Sequence, residues 1–126
     1  MNDPVFLPRE AVLELHRTSL ELHDGLDGMR EPGLLDSALM QPEATNFYGE
    51  GDLAAAYAFH IAQNQPFLDG NKRTSLVVAE LFLVLNGLEL TSNDTETVAT
   101  FLQLAAGELT EEALADWIEA NATAVR

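Results

Sequence analysis

Apolar residues recur along this chain at intervals of three and four, the spacing of helices that bury one stripe. From Pro8 to His23 the stripe runs through Val12, Leu15, Ser19 and Leu22, widened by Leu13 and Leu20. Pro8 suits a helix start, and Glu10 falls in the first turn, where a carboxylate complements the dipole. Gly25, Asp27-Gly28 and Pro32-Gly33 mark a loop from Asp24 to Gly33. A short helix is expected from Leu34 to Met40, closed by Pro42. Between Pro42 and Gly51 no helical period is visible, and Phe47 and Tyr48 read as connector residues packed on the core. The next helix runs from Asp52, a good N-cap, to Asn64, with Leu53, Ala56, Tyr57, His60 and Ile61 on one face.

From Asn71 to Asn86 the pattern changes. Leu76 to Leu85 is apolar almost all round, which predicts a central, buried helix, stopped by Gly87 in the left-handed conformation. Leu88-Glu89-Leu90 reads as a short extended link. Ser92-Asn93-Asp94 opens a fifth helix with Val98, Phe101, Leu102 and Ala105 inward, ending at Gly107. Thr110 caps a sixth, with Glu111 and Glu112 in its first turn and Leu114, Trp117 and Ile118 on one face. No repeat, low-complexity segment or strand-rich stretch interrupts the series. The expected fold is all-α: one domain over residues 1–126, a single compact bundle of about six helices.

Composition narrows the function. Asp and Glu number 21 against six Lys and Arg, for a net charge of -15. A duplex binder needs a basic stripe to displace counterions, so direct nucleic-acid binding is not expected. The acidity fits a solubility device or a surface that attracts a basic segment. No cysteine is present, which removes disulfides, thiolate chemistry and Cys metal sites and fits a cytoplasmic location. The N-terminal stretch has no basic region followed by a long apolar core, so no signal peptide is expected. No apolar run approaches the ~20 residues of a membrane span. His16 and His23 share a helix face without a carboxylate to complete a metal pattern, and read as surface histidines near a helix end. His60, alone on an apolar face, reads as a packed, hydrogen-bonded residue.

Against this acidic background, Gln65-Pro-Phe-Leu-Asp-Gly-Asn-Lys-Arg-Thr74 concentrates the chemistry. Lys72 and Arg73 are adjacent, Asp69 stands three residues before Lys72, and Gly70-Asn71 leads into the apolar helix. A Gly-containing loop feeding a helix N-terminus is how backbone N–H groups and the dipole meet a phosphate. A nearby carboxylate suits Mg²⁺, which takes one or two protein oxygens plus phosphate oxygens. An ordinary Asp-Gly-Asn loop beside solvated charge fits the same spacing.

The stretch resembles the signature of the Fic/Doc family, His-x-Phe-x-Asp-(Gly/Ala)-Asn-Lys-Arg in its Doc (death-on-curing) branch. Phe67, Asp69, Gly70, Asn71, Lys72 and Arg73 match, and Gln65 stands at the position of the family's catalytic His. The segment from Gly33 to Pro42 resembles the family's second conserved block. The resemblance implies a helical Fic/Doc-like domain with the motif loop at the N-terminus of the central helix. It implies a flap between Pro42 and Gly51 that aligns a protein substrate. It further implies ATP and Mg²⁺ as cofactors, with Asp69 on the metal and Gly70, Asn71, Lys72 and Arg73 on the phosphates. Arg73 and Asp69 are then also catalytic, through the charge of the transferring group.

In the AMP-transferring Fic enzymes the motif ends Gly-Asn-Gly-Arg. Lys72 in place of the second Gly marks the Doc branch, which the resemblance describes as kinases that bind ATP in the opposite sense. Their substrate is a threonine of elongation factor Tu. They are toxins of type II toxin–antitoxin modules, held by an antitoxin whose tail folds into a groove near the active site. Gln65 should weaken such an enzyme, because an amide has no titratable proton near neutral pH and general-base catalysis contributes about 10²–10⁴-fold. His and Gln codons differ by one base, so Gln65 is either an introduced or selected change or the natural residue of a degenerate homologue. Two other readings stay open: an AMP transferase, against which Lys72 speaks, and a non-catalytic module that binds an antitoxin or nucleotide, which Gln65 favours.

Overall fold

The computed structural model of the chain describes residues 3–44 and 49–125. Among them are six helices, α1 (Arg9–His23), α2 (Pro32–Ala44), α3 (Glu50–Asn64), α4 (Asn71–Leu85), α5 (Asp94–Ala105) and α6 (Glu111–Asn121). Two short strands, β1 (Leu88–Leu90) and β2 (Ala122–Ala124), complete the order. The expected all-α bundle is thus observed. Helix α3 lies at its middle, packed on α2, α4, α5 and α6, while α4 packs on α3, α1, α5 and β1. The run Ala54-Ala55-Ala56-Tyr57-Ala58 is buried throughout, and its small side chains let the flanking helices come close. Val12, Leu35, Ile61, Val78, Phe82, Phe101, Leu114 and Ile118 fill the core around it. The buried Tyr57 ring lies 5.2 Å from that of Phe82, and its hydroxyl accepts the Leu7 N–H at 2.9 Å.

Several sequence expectations need correction. Helix α4 is buried on one side rather than all round, since Val84 and Leu85 are about half exposed. Helix α2 begins at Pro32, where a missing N–H costs nothing, and runs through Pro42, whose buried ring offsets the lost hydrogen bond. Gly49 rather than Asp52 is the N-cap of α3, and Asp52 sits in the first turn. In α1 the buried stripe is Val12, His16, Ser19 and Leu20, while Leu22 is exposed. In α5 it is Phe101 and Leu104 that face inward, with Val98, Leu102 and Ala105 outward. Leu88–Leu90 is more than a link: it pairs antiparallel with Ala122–Ala124, Leu90 opposite Ala122. Thr110 caps α6 as expected, accepting the Ala113 N–H at 3.1 Å. Phe47 and Tyr48, in the segment read as connector or flap, lie outside the described residues.

Candidate phosphate-binding site

The motif residues occupy the turn between α3 and α4, and a set of hydrogen bonds fixes its shape. Gln65 ends α3 in the left-handed conformation (φ 47°), its N–H bonded to the Ile61 carbonyl at 3.0 Å. Arg30 grips that end: one guanidinium nitrogen donates to the carbonyls of Gln65 (3.0 Å) and Asn64 (3.3 Å). Its own N–H donates to the Pro66 carbonyl at 2.9 Å. A cation on the last carbonyls of a helix is favourable, so Arg30 stabilises both α3 and the unusual backbone of Gln65.

Beyond Pro66 the turn is pinned from within. The Asn71 side chain accepts the Phe67 N–H and donates to the Phe67 carbonyl, both at 3.0 Å. The Phe67 ring is buried in the core. Leu68 N–H donates to the Gly28 carbonyl at 3.0 Å, tying the motif to the loop between α1 and α2. Gly70 follows at φ 80° and precedes α4 without offering a side-chain cap. The first helical bond of this end is Thr74 N–H to the Gly70 carbonyl (2.9 Å), so the N–H groups of Asn71, Lys72 and Arg73 precede the ladder.

These groups border a cleft of about 290 Å³, lined by Gln65 and by every residue from Leu68 to Arg73. Its electrostatics are unusual for this chain. Among the described residues Arg9 pairs with Asp36 and Arg17 with Glu14, and Arg30 is spent on backbone carbonyls. Lys72 and Arg73, like Arg30, have no carboxylate partner there, and a buried Arg73 guanidinium nitrogen (Nη1) has no hydrogen-bond partner among the described residues. An unsatisfied buried donor on a charged group is costly, and Arg73 is among the residues that line the cleft.

Asp69 stands at the edge of the same cleft. Its Oδ1 accepts the Gly70 N–H at 3.0 Å and its Oδ2 lies 3.4 Å from the Leu26 N–H, leaving lone pairs on both oxygens. No group of three or more His, Asp or Glu converges there or elsewhere among the described residues. The donor set therefore suits a cation that brings most of its ligands as water and phosphate. The approach is close on the loop side: a side chain at Gly25 (φ 147°) would sit 3.1 Å from the Asp69 carboxylate and 2.9 Å from Leu20.

All six motif positions, Gln65, Asp69, Gly70, Asn71, Lys72 and Arg73, thus come together at one cleft. The Asn71 side chain is engaged by Phe67, which leaves its backbone N–H, ahead of the α4 ladder, for an anion. A second cleft of about 520 Å³ shares Gln65 and Ala62 and continues to Phe59 and the α5–α6 turn. His60 lies apart from the motif, bonded to Glu111 at 3.0 Å, as a packed histidine should be. Sequence reasoning missed Arg30, Gly25 and His16. His16 is buried, not on the surface, while His23 is exposed. The signal for His16 was its phase: 12, 16, 19 and 20 fit one stripe as well as 12, 15, 19 and 22 do. No spacing rule could have joined Arg30 to Gln65.

The chain has similar sequences among known proteins. The chain is similar to a protein named "Protein kinase doc" from Escherichia phage P1, with 31% identity over 111 residues, 85% of this chain and 87% of that protein. It is also similar to a protein named "Toxin Doc" from Mycolicibacterium smegmatis, with 39% identity over 70 residues, 52% of this chain and 54% of that protein. The model of the Fic/DOC family matches residues 6–83, from the segment before α1 almost to the end of α4 and so across the whole motif turn. The chain belongs to the Fic/DOC family.

Proposed function

We propose that this protein is a toxin of the Doc type, built as an ATP-dependent protein kinase and largely disarmed by Gln65. The observation that carries the reading is the buried, unpartnered Nη1 of Arg73 beside the open N-terminus of α4 in a chain of net charge -15. Such a site suits a multiply charged anion, and similarity to a protein named "Protein kinase doc" supports reading that anion as a nucleotide phosphate. Lys72 and Arg73 neutralise charge spreading over the transferring phosphoryl group, and the α4 N–H groups hold its oxygens. The larger cleft beyond Gln65 gives the rest of the nucleotide room. Mg²⁺ on Asp69 would add charge neutralisation at the phosphates. Phosphoryl transfer leaves little covalent work for the protein, so this electrostatic placement is most of its catalysis.

In the transfer itself the hydroxyl oxygen of the protein substrate bonds to the γ-phosphorus, the bond to the bridging oxygen breaks, and ADP leaves. The hydroxyl proton needs an acceptor at position 65. Gln65 can orient the hydroxyl but cannot take its proton, which removes about 3–5 kcal/mol of barrier lowering. The substrate is a threonine of elongation factor Tu, the consequence is a block of translation in the cytoplasm, and a cognate antitoxin keeps the protein in check. Incubating the Gln65→His variant with Mg²⁺, ATP and purified elongation factor Tu tests this. Intact-mass spectrometry is expected to show one added phosphate on the factor. An added AMP, or an unmodified factor, would overturn the kinase reading.

A further inference from the structure

The geometry points to His16 as a positioning residue of the phosphate loop, acting from α1 on Asp69 and Gly70. The inference deepens the nucleotide reading and rests on it only for its consequence in binding. His16 is 3% exposed, yet it meets the motif at three residues, Phe67, Asp69 and Gly70. Its ring stacks on Phe67, with centroids 3.7 Å apart and planes 8° from parallel. Its Nε2 lies 2.8 Å from the main-chain oxygen of Asp69. A carbonyl can only accept, so Nε2 carries the hydrogen and donates it. Its Cδ2 and Nε2 are also the atoms nearest to the missing side chain of Gly70, both at 3.5 Å.

Each contact fixes a different degree of freedom. The stack sets the height of the loop over α1, and the hydrogen bond sets the direction of the Asp69 carbonyl. That carbonyl is in the peptide that leads into Gly70, the N-cap of α4. Turning this peptide would swing the Asp69 carboxylate and the Gly70 N–H that it accepts. His16 therefore holds the carboxylate and the mouth of the helix in one orientation before any ligand arrives, as Arg30 holds Gln65 at the other end. A histidine that only filled the core could spend its N–H on any acceptor. This one spends it on the residue that borders the cleft.

Three measurements separate this from simple packing. On the unaltered protein, imidazole ¹⁵N shifts should show His16 protonated at Nε2; an unprotonated Nε2 would overturn the inference without any variant. His16→Phe keeps a ring on Phe67 and loses the donor. It is expected to speed amide exchange at Gly70 and Thr74 about three- to tenfold, while Leu114 in α6 is unchanged. Affinity for Mg·ATP should fall by a similar factor. His16→Gln, which returns an N–H donor, should recover part of both. Unchanged exchange at Gly70 and Thr74 in His16→Phe would overturn the inference. If the parent fails to bind Mg·ATP, the nucleotide reading falls, and the exchange result alone decides the role of His16.

Discussion

Asn71→Ala should loosen the motif turn more than any exposed substitution in this chain. The Asn71 amide makes two bonds to one residue, accepting from Phe67 N–H and donating to Phe67 C=O, each at 3.0 Å. Each is worth about 1 kcal/mol net, and the Phe67 N–H loses its acceptor beside a fully buried ring, so the gross cost is about 2–3 kcal/mol. Alanine's better helix propensity returns roughly 0.5 kcal/mol, leaving about 2 kcal/mol. For a domain of this size that is a fall in Tm of about 6–10 °C, measured by calorimetry or circular dichroism. Asn71→Asp sharpens the test. A carboxylate still accepts the Phe67 N–H and suits a helix N-terminus, but it opposes the Phe67 carbonyl without a donor. It should cost less than Asn71→Ala. A loss below about 0.5 kcal/mol for Asn71→Ala, or equal losses for the two variants, would refute the bidentate bridge as the lock of this turn.

Thr74 is fully buried and its hydroxyl has no partner among the described residues, so Thr74→Val should stabilise the fold by about 1 kcal/mol in urea unfolding; a loss of stability would show that the hydroxyl is bonded. Partial burial raises the Glu80 carboxyl above its ordinary value, and the nearby Asp94 adds to the shift. A raised carboxyl favours the folded state only while protonated. That contribution is full below the unfolded pKa and lost as pH rises through the folded one. Glu80→Gln should therefore gain stability relative to the parent at pH 7 and little near pH 3. Since Glu80 remains exposed on α4, the gain should stay under about 1 kcal/mol, and an equal difference at both pH values would contradict the assignment.

The long periodic helices and the motif were legible because their signals are local. The 3.6-residue period located α1, α3, α4, α5 and α6, and Gly70-Asn71-Lys72-Arg73 marked where a helix opens toward an anion. What stayed hidden depends on partners distant in sequence. Leu88–Leu90 is a strand only because residues 122–124 lie beside it. Pro42 ends a helix by local rules, yet its buried ring is accommodated inside α2. The faces of α1 and α5 were misjudged because two stripes fit each sequence almost equally, and neighbouring helices decide between them. His16 and Arg30 act across 53 and 35 residues on the backbone of the motif, and a backbone acceptor leaves no trace in side-chain pattern.

The most direct test of the kinase reading incubates the chain and its Gln65→His variant with Mg²⁺, a translation extract, and ATP labelled at either the α or the γ phosphate. Transfer of γ label to protein by Gln65→His, with little or none by the parent, is the expected result. Transfer of α label would contradict it by showing that the site moves AMP despite Lys72. No transfer from either form would contradict it in favour of a module that binds without catalysis.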